Sequence, residues 1–297
     1  MPSTTDSAGR TYIQHANGQL THYIHTPCTT KTTSSHSKTS PSTILIQHGF
    51  ARHSAFWTPW IPILSRDYNV LQRDLRGHGH STYPSSSQQH DYTYTTATII
   101  GEIIDLLDHL GLQKVHFLGE STGGMLGEIL AATRADRVLS LTICSTPTHL
   151  PRSALSLFAF GRPTWAAALR ELGSRGWVEE LAKVPGTVPL SEVGAGQKTY
   201  LDEVGVSDGE GLAQYAEFLE TLDARPFLTE ITCPMLILAP MESAAVRVED
   251  MQVLKEMVRG SRLVCIEGSG HEIYITRARE CQDFLLAFVG DVERVRG

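Results

Sequence analysis

The sequence predicts an α/β fold in which helices cover both faces of a mainly parallel β-sheet. Short runs rich in Ile, Leu and Val recur along the chain, and they alternate with stretches whose apolar residues have helical spacing. This alternation is typical of β-α-β units, whose strands run parallel. The chain has 297 residues, which is enough for one large domain with a sizeable core.

The elements can be placed in chain order. We expect strands at residues 43–47, 68–74, 115–119, 138–144, 235–239 and 262–268. Ile and Leu side chains lie along one helical face between residues 99 and 110, and Gly111 gives that helix a stop signal. A second helix, "STGGMLGEILAA", follows the third strand directly, and a helical segment at 280–292 lies near the end of the chain. Residues 26–42 are almost entirely Thr, Ser and Lys, which predicts a mobile loop that joins early strands near 12–15 and 20–25.

The region from 148 to 230 interrupts the alternation. It contains several helical patterns and no clear strand, so we interpret it as a helical insertion between two strands of the sheet. The sequence thus predicts a core made of residues 1–147 and 231–297. The insertion is expected to form a lid over the site; extra scaffold helices are the alternative interpretation.

Composition excludes some classes of protein. The formal net charge is -7 and no basic run occurs, which argues against a nucleic-acid partner. No apolar run approaches the ~20 residues of a membrane span, and the first ten residues have no apolar segment typical of a secretory signal. The five cysteines are odd in number and lack a CxxC pair, which indicates reduced thiols. We therefore expect a cytoplasmic protein without a membrane partner.

One serine stands at a corner between a predicted strand and a predicted helix. Residues 119–123 read Gly-Glu-Ser-Thr-Gly, which fits the G-x-S-x-G nucleophile elbow in its required strand–turn–helix context. A strand that turns at once into a helix forces strained backbone angles on Ser121 and requires small neighbours. The pattern predicts that Ser121 is a nucleophile. An ordinary glycine-rich turn is the alternative.

A second segment, "QHGFARHSAFW", follows the strand at 43–47. We expect the backbone amides of Phe50 and Thr122 to form an oxyanion hole, Thr122 being the residue directly after the serine. His78 and His80 lack a carboxylate or cysteine partner at ligand spacing, so no metal site is predicted there.

A late histidine supplies the candidate base. His271 follows the last predicted strand between Gly270 and Glu272, and Gly268 and Gly270 would allow the loop to bend toward the serine. A base downstream of the nucleophile agrees with the chain order expected when G-x-S-x-G opens a helix.

Together these segments resemble the α/β-hydrolase superfamily from about residue 43 onward. The resemblance rests on His-Gly after a strand, the "DLRGHGHS" loop, G-x-S-x-G and the late Gly-His. It implies an α/β-hydrolase fold with an inserted helical lid, and "HFLGESTGGMLGEILA" looks most similar to oxoadipate enol-lactonases and related ester or carbon–carbon bond hydrolases. Family members typically carry an aspartate after the strand at 235–239, where this chain has Ser243. We therefore expect the neighbouring Glu242 to orient His271; Glu249, Asp250 or no acid are the alternatives.

The predicted function is hydrolysis of an ester or lactone of a moderately sized apolar substrate through an acyl-enzyme. Carbon–carbon bond hydrolysis of a diketone, or a non-hydrolytic catalyst or ligand receptor on the same fold, are the alternatives. Phe158 and Trp165 in the insertion are expected to line the pocket, with Phe56 and Trp57 on the opposite wall. No cofactor is expected, and a small molecule is the expected partner, with a homodimer as a further expectation.

Overall fold

Nine strands form a single sheet among the residues that the structure describes. The computed structural model describes residues 1–30, 40–85, 87–88, 92–190 and 193–296. The strands are β1 (Ser3–Thr5), β2 (Thr11–Gln14), β3 (Leu20–Thr26), β4 (Thr43–Gln47), β5 (Asn69–Arg73), β6 (Val115–Glu120), β7 (Val138–Cys144), β8 (Met235–Glu242) and β9 (Arg262–Ser269). Their order across the sheet is β1-β2-β3-β5-β4-β6-β7-β8-β9.

The sheet is parallel from β5 to β9 and antiparallel at one edge. β4 pairs in parallel with β5 and β6, and β7, β8 and β9 continue the parallel ladder. β1, β2 and β3 are antiparallel, and β3 joins the sheet by an antiparallel pairing with β5. The prediction of a mainly parallel sheet is confirmed, and all six predicted strands are present within one or a few residues of their expected bounds.

Helices cover both faces of the sheet, as predicted. They are α1 (Ile61–Leu64), α2 (Thr96–His109), α3 (Thr122–Thr133), α4 (Arg152–Ala159), α5 (Trp165–Leu181), α6 (Gln197–Val204), α7 (Gly209–Leu219), α8 (Val248–Met257), α9 (Ile273–Thr276) and α10 (Ala278–Arg296). Strand β4 shows why two faces are needed, because Leu45 packs into the core that contains α2 and α3. Its neighbours Ile44 and Ile46 pack into a second core with α1 and α10. Successive side chains of a strand point to opposite faces, so a strand buried on both sides reads as a continuous apolar run.

One predicted connection is wrong. β2 and β3 are joined by a tight turn at residues 15–19, in which Gly18 N donates to His15 O at 2.9 Å. Gly18 has a φ of 82°, a conformation that glycine adopts without steric cost. The Thr- and Ser-rich stretch at 26–42 therefore lies between β3 and β4. Residues 31–39 of that stretch lie outside the described residues, so its predicted mobility stays a prediction.

Helices α4 to α7 form one insertion between β7 and β8. The chain leaves and returns at the same place, because Ala224 N donates to Thr148 O at 2.9 Å and His149 bridges to Asp223. This closure near 148 and 224 agrees with the helical insertion read from the sequence, while its role as a lid stays a prediction. Among the described residues, no helix combines the length and apolar character required to cross a bilayer.

Candidate active site

The corner at Ser121 has the strained geometry that the sequence suggests. β6 ends at Glu120 and α3 begins at Thr122, so a single residue makes the whole turn. Ser121 has φ 50° and ψ -124°, values that cost a non-glycine residue about 1–3 kcal/mol. Such strain persists only where the surrounding structure fixes it, and it directs the hydroxyl above the carboxyl end of the sheet.

Glycines make this corner sterically feasible. A Cβ atom at Gly119 would lie 2.6 Å from Gly124 Cα, and one at Gly123 would lie 2.6 Å from Gln47 O. Neither contact is tolerable, because real Cβ atoms do not approach backbone atoms so closely. Glycine at 119 therefore lets β6 pack against α3, and glycine at 123 lets α3 pack against the end of β4.

The structure brings His271 to Ser121. His271 Nε2 lies 3.0 Å from Ser121 Oγ, although 150 residues separate the two in sequence. The histidine loop follows β9, and Gly270 bends it with a φ of 92°. The backbone of Thr187, in the insertion, accepts a hydrogen bond from His271 N at 3.3 Å. The two side chains thus have the separation that proton transfer requires.

Burial keeps the imidazole of His271 uncharged near neutral pH. Loss of hydration, aided by the nearby positive charge of Arg52, lowers the pKa of His271 to about 4. A neutral imidazole is the form that accepts a proton, so the resting charge state suits a general base.

The expectation that the Glu242 side chain contacts His271 is wrong. Glu242 is exposed, and only its backbone carbonyl approaches the histidine loop, where it accepts from Gly270 N at 2.7 Å. Ser243 Oγ lies 3.1 Å from His271 Nδ1 and so occupies the acid's usual place. Consecutive residues at the end of an extended strand point in opposite directions, so one extra methylene in Glu242 does not reach the site. The alternative Asp250 is also exposed and pairs with Arg247 at 3.2 Å.

The hydrogen bonds of Ser243 bear on the tautomer of His271. Ser243 Oγ accepts from Ala245 N at 3.1 Å and from Val246 N at 3.2 Å. Both lone pairs of the hydroxyl are then occupied, and its own proton is available for His271 Nδ1. That arrangement favours a proton on Nε2, whereas a general base needs its free lone pair there. A carboxylate at this position would instead accept a proton from Nδ1 and fix the reactive tautomer.

The amides expected to form an oxyanion hole flank Ser121. Thr122 is the first residue of α3, whose terminal N–H groups have no partner within the helix. The loop that carries Phe50 is pressed against Ser121, since a Cβ at Gly49 would lie 2.8 Å from Ser121 Cβ. His48 braces this loop: its Nε2 accepts from Leu75 N at 2.9 Å and its Nδ1 donates to Gly49 O at 2.7 Å.

A small cavity of about 70 Å³ opens beside Ser121. Its wall is mainly apolar, with both aromatic and aliphatic side chains, and Phe158 and Trp165 line it, as expected from the sequence. The ring centroid of Trp165 lies 4.3 Å from the ring centroid of Phe50 and 4.9 Å from that of Phe158. Trp177, which the sequence analysis did not select, also lines the cavity.

Phe56 and Trp57 are not among the described residues that line this cavity. The prediction that they form its opposite wall is therefore wrong. Trp57 is fully buried and stacks on Tyr274 with ring centroids 4.4 Å apart. Phe56 packs edge-on against Tyr200 at 5.2 Å. Both lie in the short helical turn after the Phe50 loop, which directs them toward the sheet's other core and the insertion.

Buried charged groups at the site were not found by sequence reasoning. Arg52 forms a buried ion pair with Glu272, and Tyr200 in the insertion donates to Glu272 Oε2 at 2.8 Å. The side chains of Arg52 and Glu272 are only 4% and 5% exposed, so each charge depends on the other. Their positions next to the Phe50 loop and to His271 are the signal that could have identified them.

Glu120, the residue just before Ser121, is the second carboxylate at the site. Its Oε2 accepts from Gly49 N at 2.8 Å, and its Oε1 lies 3.7 Å from His271 Nε2. Burial, together with the negative charge of Glu272, raises the pKa of Glu120 to about 8; Arg52 and the Gly49 amide oppose that shift. Glu120 and His271 are thus both neutral between about pH 4 and pH 8.

The fold, the strained serine corner and the late histidine define an α/β-hydrolase. The family model of the alpha/beta hydrolase fold matches residues 42–278, and the chain belongs to this family. The prediction of an α/β-hydrolase enzyme is thereby confirmed.

Individual relatives are distant. The chain is 22% identical to 3-oxoadipate enol-lactonase 1 of Acinetobacter baylyi over 259 residues, which cover 85% of this chain and 89% of the relative. It is 25% identical over 251 residues to a protein of Pseudomonas savastanoi named as a candidate carbamate hydrolase, with 83% and 93% covered. The crystal structure of the enol-lactonase from Burkholderia xenovorans matches with a TM-score of 0.79 at 23% identity, covering 94% of this chain and 99% of that one. At this identity the structural match establishes the fold.

Proposed function

We propose that this chain is a serine hydrolase that cleaves a carboxylic ester or lactone through an acyl-enzyme. His271 takes the proton of Ser121 as the oxygen attacks the carbonyl carbon. The amides of Phe50 and Thr122 hold the oxyanion, and the imidazolium returns the proton to the departing alcohol. Water, deprotonated by the same histidine, then releases the acid and regenerates Ser121.

The observation that carries this proposal is the 3.0 Å separation of Ser121 Oγ and His271 Nε2 at a strained strand–helix corner. The names of the relatives support the same chemistry, because enol-lactone and carbamate hydrolysis both transfer an acyl-type group to water.

The cavity favours a short, uncharged acyl group. Its volume of about 70 Å³ is well below the roughly 300–1,000 Å³ of pockets that hold drug-sized ligands, which suits a short acyl group. The one cationic side chain among its described lining residues, Arg52, is already paired with Glu272. A substrate carboxylate would have to compete with that buried pair. The insertion at 148–230 supplies Phe158, Trp165 and Trp177 to the wall, which supports its role as a lid.

The test is hydrolysis of p-nitrophenyl acetate by wild-type protein and by Ser121→Ala. We expect Ser121→Ala to lower kcat at least about 1000-fold, because removal of a nucleophile leaves only oxyanion and binding contributions. Ser156→Ala, an exposed serine in α4, is the matched control and should retain wild-type turnover. Equal rates for wild type and Ser121→Ala would overturn the proposal.

A second candidate, a non-hydrolytic ligand receptor, is favoured by one observation. Ser243 stands where the family carries an acid, and its hydrogen bonds favour the unreactive tautomer of His271. A receptor would bind small esters or lactones without releasing acid. Product release measured by NMR over several turnovers separates the two functions.

A further inference from the structure

Resting on the proposed hydrolase function, we propose that Glu120 supplies the negative charge that the missing acid at position 243 does not provide. In this account Glu120 is a positioning residue that acts through His271. Its carboxylate stabilises the imidazolium from the Nε2 side of the ring, whereas the family's acid does so from the Nδ1 side.

The geometry supports this role. Glu120 is 3% exposed, and Gly49 N anchors Oε2 while Oε1 is left facing His271 Nε2 at 3.7 Å. A buried carboxylate is costly unless it interacts with a charge or with hydrogen-bond donors. Gly49 N satisfies one oxygen of Glu120, and the proton that Ser121 passes to His271 creates a cation beside the other.

The other ionisable groups around Glu120 do not neutralise its carboxylate. Arg52 and Glu272 face it, but they are paired with each other and contribute opposite charges. Tyr200, Tyr274 and Cys144 also surround it, and burial raises the pKa of each so that they stay neutral. Among the described residues of the site, Glu120 is therefore the carboxylate that is not paired with an arginine and can stabilise the His271 imidazolium.

The proton balance of the step is simple. Ser121 Oγ forms a bond to the carbonyl carbon and loses its proton to His271 Nε2. The ionised Glu120 keeps its charge throughout and pairs with the imidazolium. The cation then gives the same proton to the leaving oxygen, and His271 is neutral again.

This role has a defined pH dependence. The pKa of Glu120 is raised to about 8 and the pKa of His271 is lowered to about 4. Below pH 8 the carboxyl is protonated and cannot support the imidazolium, while His271 is already neutral. kcat/KM should therefore rise as pH increases through about 8, with no limb near the ordinary histidine pKa of ~6.5.

The test is a double-mutant cycle of Glu120→Gln and Ser243→Asp, assayed on p-nitrophenyl acetate from about pH 6 to about pH 9.5 with the rate of Ser121→Ala subtracted. We expect Glu120→Gln to lower kcat/KM at about pH 9 by about 10-fold or more. The rise of kcat/KM with pH near pH 8 should also disappear in this variant. In the Ser243→Asp background the new carboxylate supplies the charge. There Glu120→Gln should lower kcat/KM by less than about 3-fold, because either carboxylate can stabilise the same imidazolium. Circular dichroism and thermal unfolding of each variant report on folding.

Outcomes separate this inference from the proposed function. Equal losses from Glu120→Gln in both backgrounds would mark a structural role and overturn the inference. If Glu120→Gln does not fold, Ser243→Asp alone decides, because the limb near 8 should vanish in that variant with Glu120 intact. Persistence of the limb there contradicts the role of Glu120 while leaving the Ser121 chemistry in place. Absence of Ser121-dependent turnover in wild type and in Ser243→Asp overturns both.

Discussion

At the scale of single residues, the side chain beside His271 Nδ1 is a serine where the α/β-hydrolase resemblance leads us to expect an acid. Ser243 Oγ contacts His271 Nδ1 at 3.1 Å but carries no charge, and it accepts two backbone N–H bonds. These two amides are suited to a carboxylate, which could accept them and a third bond from Nδ1–H. The loop therefore has the hydrogen-bond donors that an acid would need.

We predict that Ser243→Asp raises kcat/KM for p-nitrophenyl acetate at about pH 7 by at least about 10-fold. An aspartate would fix the Nδ1–H tautomer and stabilise the imidazolium, and the loss of that tautomer in a serine protease costs about 10⁴-fold in kcat. Steady-state kinetics with Ser243→Asn as the matched uncharged control measure the effect. A gain of the same size in Ser243→Asn would show that charge is not the cause.

Site residues were predictable from sequence where a motif fixes the local backbone geometry. Ser121 and His271 were predicted from a strand–turn–helix pattern and a glycine-rich loop, and the structure places them 3.0 Å apart. Glu242 was chosen because it is the nearest carboxylate in sequence to position 243. The direction of a side chain at a strand end depends on register, which a count along the sequence does not give.

At the scale of elements, the β6–α3 corner depends on Gly119, which lets the strand and helix touch. The backbone of α3 approaches β6 so closely that Gly119 and Gly124 are in contact range. The insertion is tied to the same corner through Thr187, which bonds to the His271 loop, and through Tyr200, which bonds to Glu272.

We predict that Gly119→Ala lowers the free energy of unfolding by about 1–3 kcal/mol and reduces esterase activity, because overpacking forces the backbone to shift. The added methyl would lie 2.6 Å from Gly124 Cα, directly behind Ser121. Urea unfolding and ester hydrolysis measure the two effects. Gly101→Ala in α2, where a Cβ meets nothing within 4 Å, is the control and should be neutral or stabilising.

A separate prediction concerns the buried ion pair between the Phe50 loop and the His271 loop. Arg52→Met should lower the free energy of unfolding by about 3–5 kcal/mol, since it leaves Glu272 buried without its partner. The double variant Arg52→Met, Glu272→Leu should recover a large part of that loss. Chemical denaturation of the three proteins tests this expectation, and a fully stable Arg52→Met would contradict it.

The elements themselves were largely predictable from sequence, and their connections less so. Continuous apolar runs identified the parallel strands because such strands are buried on both faces. The link between β2 and β3 was missed although Asn17-Gly18 in the turn at 15–19 is a dipeptide that strongly favours a hairpin. The expectation that Phe56 and Trp57 line the pocket fails because the short helical turn directs them into the packing behind it.

At the scale of the whole molecule, the site lies where the carboxyl ends of the strands meet the helical insertion. The sheet supplies Ser121, Glu120 and His271, and the insertion supplies most of the aromatic wall around a cavity of about 70 Å³. The fold class and the site's place in it followed from the order of motifs. The size of the cavity did not, because it depends on how Trp165 and Trp177 pack against Phe50.

We predict that wild type hydrolyses p-nitrophenyl acetate with a higher kcat/KM than the octanoate ester, and that Trp165→Leu shifts this preference toward longer acyl chains. Removing part of a buried ring enlarges the cavity beside Ser121. Rates across a series of acyl lengths measure the shift. Trp60→Leu, a buried tryptophan in the other core, is the matched control and should leave the preference unchanged.

The proposed function requires that the Ser121 hydroxyl becomes covalently acylated, with His271 as its base. The most direct measurement is rapid acid quenching of the protein during turnover of p-nitrophenyl acetate, followed by peptide mass spectrometry. We predict one acetyl group on the peptide that contains Ser121, and its absence in Ser121→Ala and His271→Ala. Turnover with no acetylated Ser121, or with the acetyl group on another residue, would contradict the account.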